Sequence, residues 1–121
     1  MRYKELIVWQ KSHTLALKTI TAVKHVTPSY TTDIIVKQLL RAVTSTGANI
    51  AEGYSRFGSK EYVRFLQIAY GSSNEADNWL TLLSDARLIS PESAQELIKD
   101  NEEILKILTT MIKRIKGKIT G

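Results

Sequence analysis

Apolar residues recur every three or four positions through four long stretches of this 121-residue chain, and this spacing limits the fold more than any other feature. An α-helix has 3.6 residues per turn, so the spacing places these side chains on one helical face. Pro28, Gly58 and Pro91 lie between the stretches, where such residues end or begin helices. We predict helices over about 4–26, 32–56, 59–87 and 91–116. Because the connections are short, residues 1–121 are expected to form one all-α domain, an antiparallel up-down four-helix bundle.

The composition agrees with this fold class. Two prolines and six glycines are too few for a many-stranded β fold, and 43% apolar residues are too many for a disordered chain. The absence of cysteine excludes disulfides and thiolate metal sites. The apolar run from Leu6 to Trp9 is too short for a signal peptide, and no run is long enough to cross a bilayer. We therefore expect a cytoplasmic protein that does not enter a membrane.

The first predicted helix carries two apolar rows. The wider row is expected to face the core, opposite a ridge of Lys4, Lys11 and Lys18. It consists of Leu6, Trp9, His13, Ala16, Leu17, Ile20 and Val23. The narrower row lies beside the lysines and consists of Val8, Leu15, Ala22 and Val26.

The fourth predicted helix also has a second apolar row. It consists of Ile98, Leu105, Ile112 and Ile119. Helices 1 and 4 are neighbours in an up-down bundle, so their second rows are expected to form one outward patch and to favour a homo-oligomer. The alternative is that both rows simply widen the core.

Helix 2 carries a polar stripe beside its apolar face. The stripe consists of Gln38, Arg41, Ser45, Asn49, Glu52 and Arg56. Glu75 of helix 3 lies among small residues and is expected to face this stripe, where a buried carboxylate must be paired or neutral. Two interpretations remain open: a structural polar network that fixes the register of the helices, or a groove that binds a ligand or partner.

Local sequence signals predict how the helices begin and where they approach each other. Thr31 or Thr32 is expected to cap helix 2, Ser59 helix 3, and Ser90 helix 4. Gly47 and Gly53 lower helix propensity, which is expected where another backbone comes close; Gly53 alternatively marks a local break.

Charge is segregated along the chain. The 17 Lys+Arg and 12 Asp+Glu residues give a net charge of +5, yet residues 1–64 carry +6, residues 65–103 carry −6 and residues 104–121 carry +5. The end of helix 2 and the start of helix 3 meet at one end of the bundle, beside Tyr54, Phe57 and Tyr62. We expect the basic run of helix 4 at the opposite end, beside the last turn of helix 1 and the start of helix 2.

Basic side chains beside aromatic rings predict contact with a nucleic-acid backbone, the rings being available for stacking on bases. The candidates are Lys4, Lys11, Lys18, Arg56, Lys60, Arg64, Lys113 and Arg114. In the competing interpretation, lysines near helix ends complement the helix dipole, and basic and acidic regions of neighbouring subunits pair.

Motifs for catalysis are missing from the sequence. Its two histidines, His13 and His25, form no His-x-x-x-His or Glu-x-x-His pair, and phosphate-binding loops and nucleophile elbows are absent. His13 is expected to be a hydrogen-bonded core histidine. We therefore predict a protein that is not an enzyme and needs no cofactor or metal.

Several segments resemble the 23S rRNA intervening-sequence protein family, also called S23-type four-helix-bundle proteins. The resemblance is carried by Gln38-Leu39-Leu40-Arg41-Ala42, by Ser45 to Gly53 (STGANIAEG) followed by Arg56, by Leu6 to Lys11, and by Lys60 to Leu66 with Ile68 to Ser72. It extends from about Tyr3 to Ile115. Leu40 stands where the family commonly has a second arginine, and Thr46-Gly47 where it commonly has Ile-Pro.

The resemblance implies a bacterial four-helix bundle that assembles as a homopentamer. It also implies similarity to the accessory protein of diversity-generating retroelements, a basic pentamer that binds nucleic acid and a reverse transcriptase. The leading hypothesis is a non-catalytic homo-oligomer that binds RNA or single-stranded DNA. The alternative is an interaction scaffold, for example for a retroelement reverse transcriptase, without free affinity for nucleic acid. A third possibility is a small-molecule site at the polar stripe.

Overall fold

Each of the four apolar stretches forms a helix in the computed structural model, which describes residues 2–120. The helices are α1 (Ile7–Val23), α2 (Tyr30–Tyr54), α3 (Ser59–Asp85) and α4 (Pro91–Thr120), with one 3-10 turn, Tyr3–Glu5, before α1. Each helix packs on the next along the chain, and α1 also packs on α4, whereas within residues 2–120 no Cα atoms of the diagonal pairs α1–α3 and α2–α4 lie within 8 Å of each other. This closed arrangement confirms the antiparallel up-down four-helix bundle.

Two of the predicted helix caps differ in the structure. Ser29 caps α2, because its Oγ accepts a hydrogen bond from the Thr32 N–H at 3.1 Å, and Thr32 is buried inside the helix instead of capping it. Gly58 precedes α3 with φ +97°, and Ser59 is the first helical residue. The prediction for α4 is confirmed, since Ser90 Oγ accepts from the Ser93 N–H at 3.1 Å.

The end of α3 turns through a residue in the left-handed region. Arg87 has φ +61°, its N–H donates to the Ser84 carbonyl, and the Leu88 N–H donates to the Leu83 carbonyl, both at 2.9 Å. These are the two hydrogen bonds of a Schellman motif, in which the left-handed position is usually glycine. An arginine there keeps the turn but carries the steric cost of a Cβ at positive φ.

The core is filled by the apolar faces of α2 and α3, together with one row of α4. Its fully buried side chains include Leu39, Ile50, Leu66, Leu80, Leu83, Ile104 and Leu108. Gly53 is buried where α3 crosses α2, and a Cβ on it would lie 2.7 Å from Phe65 Cβ. Because α2 continues to Tyr54, Gly53 marks a close approach of helices and not a break.

The orientation predicted for α1 is wrong. Val8 and Leu15 of the narrower row are buried, whereas His13, Leu17 and Ile20 of the wider row are exposed, Leu17 to 54%. The lysines beside the narrower row explain this orientation. Lys11 and Lys18 form ion pairs with acidic residues of α4, so this side of α1 faces α4 instead of solvent. The narrower row therefore belongs to the core.

The second row of α4 does not form the outward patch that was predicted. Ile98 and Ile112 are half-buried and pack against the core, and among the described members of this row only Ile119, at 37%, is exposed. The second rows of α1 and α4 thus widen the core. The exposed apolar face lies instead on the other side of α1, towards α2.

Candidate nucleic-acid interface

The basic run of α4 lies at the same end of the bundle as the corner between α2 and α3, which corrects the predicted placement. An even number of antiparallel helices brings the last helix back to the end where the first one starts. Lys113 accordingly borders a groove with Gln67 and Tyr70 of α3. We call this the basic end. It is made of residues 2–5, 52–64 and 113–118.

The basic end concentrates the positive charge of the chain. Its three ranges contain nine basic and three acidic side chains, a net charge of +6, whereas the remainder of the chain sums to −1. Six of the eight candidate residues meet here: Lys4, Arg56, Lys60, Arg64, Lys113 and Arg114. All six are exposed. Such a concentration produces a positive potential at one pole of the molecule.

Lys11 and Lys18 lie outside the basic end, along the seam between α1 and α4. Lys11 Nζ is 2.7 Å from Glu103, and Lys18 Nζ is 2.5 Å from Asp100 and 3.2 Å from Glu96. The hydrogen bond to Asp100 is the main reason that the pKa of Lys18 is raised above its ordinary value. These ion pairs join α1 to α4, so the two lysines lie apart from the six candidates of the basic end.

Two arginines of the basic end are held in place by acids three or four residues away in the chain. Arg56 pairs with Glu52, and Arg64 donates to both carboxylate oxygens of Glu61 at 3.1 and 3.2 Å. The Arg64 hydrogen bonds lower the pKa of Glu61. Both guanidinium groups also lie over the Phe65 ring, 5.1 and 4.6 Å from its centroid. These contacts orient the arginines at the surface while leaving each about half exposed.

The three aromatic residues predicted for stacking have different surroundings. Tyr54 and Tyr62 contact each other edge to face, with ring centroids 5.9 Å apart. Both are half-buried, and burial raises the pKa of the Tyr62 phenol. Phe57 is 100% exposed at the corner between α2 and α3. Of these three rings, Phe57 therefore offers the most accessible surface.

The polar stripe of α2 joins α2 to α3 through serines. Ser45 Oγ and Ser72 Oγ are 2.9 Å apart, and the Asn49 amide donates to the Ser45 carbonyl at 2.8 Å and to its hydroxyl at 3.0 Å. Gln38 is half-buried and Arg41 is exposed. This geometry favours the structural interpretation of the stripe.

Glu75 does not face the stripe, so its predicted burial is wrong. The side chain is exposed and accepts a hydrogen bond from Trp79 Nε1 at 3.2 Å, one turn further along α3. Glu75 lies two positions after Ser73 and one before Ala76, the buried residues of this part of α3, so it projects about 200° and about 100° away from them around the helix. Small neighbours in sequence therefore did not indicate burial.

The buried polar pair of the core is Ser73 with Asn101. Neither residue is among the predicted members of the polar network. A signal was present, because Asn101 lies four residues after Leu97 and three before Ile104, within the apolar row of α4. A polar residue at such a position is expected to need a partner inside the core.

His13 is not a core residue, which corrects its predicted role. It is exposed, and its ring stacks on Trp9 with centroids 4.8 Å apart and planes at 17°. His25 is exposed near the end of α1. Within residues 2–120, His, Asp and Glu side chains form no group of three that is able to hold a metal ion.

Fold and site together define a helical bundle with one strongly basic end and an exposed aromatic residue on it. The family model of the 23S rRNA-intervening sequence protein matches residues 4–110, and the chain belongs to this family. It is also similar to the crystal structure of a protein of unknown function from the S23 ribosomal protein family of Bacteroides thetaiotaomicron. The TM-score is 0.82 and the identity 32%, over 88% of this chain and 99% of the other. No curated protein matches, and no helix within residues 2–120 has the length and apolar character of a membrane span.

Proposed function

We propose that this protein is a non-catalytic nucleic-acid-binding bundle whose basic end contacts the phosphate backbone. The observation that carries the proposal is the net charge of +6 on residues 2–5, 52–64 and 113–118, brought together by the topology. Lysine and arginine side chains on such a surface release counterions when they bind phosphates, which favours association without regard to sequence. The family description, which refers to an intervening sequence of 23S rRNA, supports RNA as the first ligand to test.

Homo-oligomer formation is the second part of the proposal. Leu17, Ile20 and Trp9 of α1 border an apolar groove completed by Ala48 and Thr44 of α2. A contiguous apolar surface of this kind is typical of a protein interface. The resemblance described above favours a pentamer, and several copies of the basic end on one particle would strengthen binding through avidity.

The same apolar groove supports a different candidate function. If it holds another protein, the bundle is an interaction scaffold, and a reverse transcriptase is the partner that the sequence resemblance indicates. The basic end would then complement an acidic protein surface. The scaffold and the nucleic-acid binder differ in one property, namely affinity for free RNA or DNA.

Filter binding of the purified chain to RNA and DNA across a salt series tests the proposal. We expect retention at low salt and a linear fall of log K with log salt concentration. Light scattering on the same samples measures the mass, and we expect a multiple of 13.6 kDa. Leu17→Glu is expected to reduce that mass to one chain, because it places a charge in the apolar groove, while Lys24→Glu serves as an exposed control. No retention at low salt would contradict nucleic-acid binding and favour the scaffold.

A further inference from the structure

We propose that Phe57 is a stacking platform for an unpaired nucleobase, so that the basic end selects single-stranded over double-stranded nucleic acid. The inference rests on the proposed function and deepens it by naming the form of the ligand. It starts from an exposure of 100% for a large apolar side chain. A side chain with no burial contributes nothing to the core, and both faces of its ring are free to contact a ligand.

The backbone on both sides of Phe57 is fixed by hydrogen bonds. The Ser55 and Arg56 N–H groups donate to the Glu52 and Gly53 carbonyls, each at 3.2 Å, which closes the end of α2. Gly58 then turns the chain with φ +97°, and its carbonyl accepts from the Tyr62 N–H at 3.2 Å as α3 begins. The ring thus projects from a short corner fixed on both sides by hydrogen bonds.

Cationic side chains surround the corner without covering the ring. The Arg56 guanidinium is directed to Glu52 and to the Phe65 ring, and Lys60 is exposed in the first turn of α3. An aromatic ring between cations matches single-stranded nucleic acid, whose backbone meets the cations while a base stacks on the ring.

The duplex form lacks the surface that Phe57 would contact. In a double helix the faces of the bases are stacked on each other, and the grooves present only base edges. Every base of an unstructured strand offers a π face, and stacking on an aromatic side chain is tolerant of sequence. Phe57 should therefore favour the single strand, whereas the lysines and arginines attract both forms.

The immediate neighbours of Phe57 favour a nucleic acid over a lipid surface or a protein. In the chain, these neighbours are Ser55, Arg56, Gly58, Ser59, Lys60 and Glu61, all polar, charged or glycine. The aromatic residues just beyond them, Tyr54 and Tyr62, are half-buried and contact each other. Insertion into a membrane uses several apolar side chains on one face, and the centre of a protein interface is a packed apolar cluster. A lone ring among polar groups fits a single flat ligand.

Fluorescence anisotropy with a labelled 20-nucleotide oligouridine and a 20-base-pair RNA duplex tests the inference. Phe57→Ala is expected to weaken oligouridine binding about tenfold, the range of one stacked base, and to change duplex binding less than about twofold. Phe57→Tyr should bind like the wild type, and Phe57→Leu like Phe57→Ala, because only tyrosine keeps a π face. Thermal unfolding should be unchanged, since the side chain is fully exposed.

Three results would overturn the inference while the basic end still binds nucleic acid. They are equal losses on both ligands in Phe57→Ala, no loss on oligouridine, and full retention in Phe57→Leu. A Phe57-dependent sedimentation with phosphatidylserine vesicles, without a loss on oligouridine, would assign the ring to lipid and also overturn it. If the wild type binds neither nucleic acid at low salt, the proposed function itself fails.

Discussion

Asn101 and Ser73 close a pair of hydrogen bonds across the α3–α4 interface in the middle of the core. Ser73 Oγ donates to Asn101 Oδ1 at 2.6 Å, and Asn101 Nδ2 donates back to the Ser73 carbonyl at 2.7 Å. Both side chains are almost fully buried. Since each donor and acceptor of the pair depends on the other residue, the two groups fix the register of α3 against α4.

Asn101→Ala is expected to lower the free energy of unfolding by about 2–4 kcal/mol, because it leaves a small cavity and a Ser73 hydroxyl without its partner. Urea denaturation measures this change. The double variant Ser73→Ala with Asn101→Leu replaces both polar groups by apolar ones and should be more stable than Asn101→Ala alone. Additive effects of Ser73→Ala and Asn101→Ala would show that the pair is not coupled.

Arg87→Gly is expected to stabilise the protein by about 1 kcal/mol. Arg87 has φ +61° at the position of the Schellman motif that glycine normally occupies, and glycine removes the steric cost of the Cβ there. The midpoint of thermal unfolding should rise by a few degrees. Arg87→Lys keeps both the charge and the Cβ and serves as the control. An equal rise for the lysine variant would point to some cause other than the backbone.

Lys18 is expected to contribute stability that is present at neutral pH and disappears in base. Its pKa in the folded protein is raised above the ordinary value of 10.5, chiefly by the hydrogen bond to Asp100. The favourable interaction is therefore complete below the pKa of the unfolded chain, and it is lost as pH rises through the folded pKa. Because the side chain is one-third exposed, Lys18→Met should cost under about 1 kcal/mol at pH 7.

The difference in unfolding free energy between wild type and Lys18→Met, measured in urea from pH 7 to beyond pH 11, tests this expectation. It should shrink as Lys18 loses its proton. Lys24→Met removes the charge of an exposed lysine next to the end of α1 and therefore corrects for general effects of charge. A difference that stays constant across the series would mean that the methionine variant acts through packing and not through the ion pairs with Asp100 and Glu96.

The sequence predicted the bundle well, because helix period, connection length and prolines act locally and agree with one another. It did not predict which side of α1 faces inward. Both rows of α1 are apolar, and the choice depends on whether Lys11 and Lys18 reach acids on α4, which are more than 80 residues away in the chain. Periodicity describes one helix at a time, so it contains no information about that contact.

The positions of charged residues in the sequence identified the candidates of the basic end. The sequence did not predict how all of these residues are arranged in space. Arg56, Lys60 and Arg64 were placed together because the corner makes them neighbours in sequence. Lys113 and Arg114 were placed at the wrong end, since their position depends on the directions of all four helices. Phe57 is more exposed than Tyr54 and Tyr62, and this difference is decided by packing between α2 and α3.

Charge reversal at Lys60 and Arg64 is expected to lower RNA affinity at least about tenfold near 0.1 M salt, because it removes two phosphate contacts and adds two repulsive charges. The slope of log K against log salt should fall by about 1.4, the value for two contacts on a single strand. Filter binding measures both quantities. Folding should be kept, since both side chains are exposed and Arg64 makes its ion pair within α3.

The control is Lys24→Glu with Lys37→Glu, which makes the same change in net charge with exposed residues near the opposite end of the bundle. If binding depends on the basic end, this control should keep most of the affinity and nearly the whole salt slope. Equal losses in the two double variants would mean that the total charge attracts RNA and that no particular surface is used. An unchanged isotherm for Lys60→Glu with Arg64→Glu would exclude the first turns of α3 from the RNA contact, because a phosphate bound there must meet one of these two side chains.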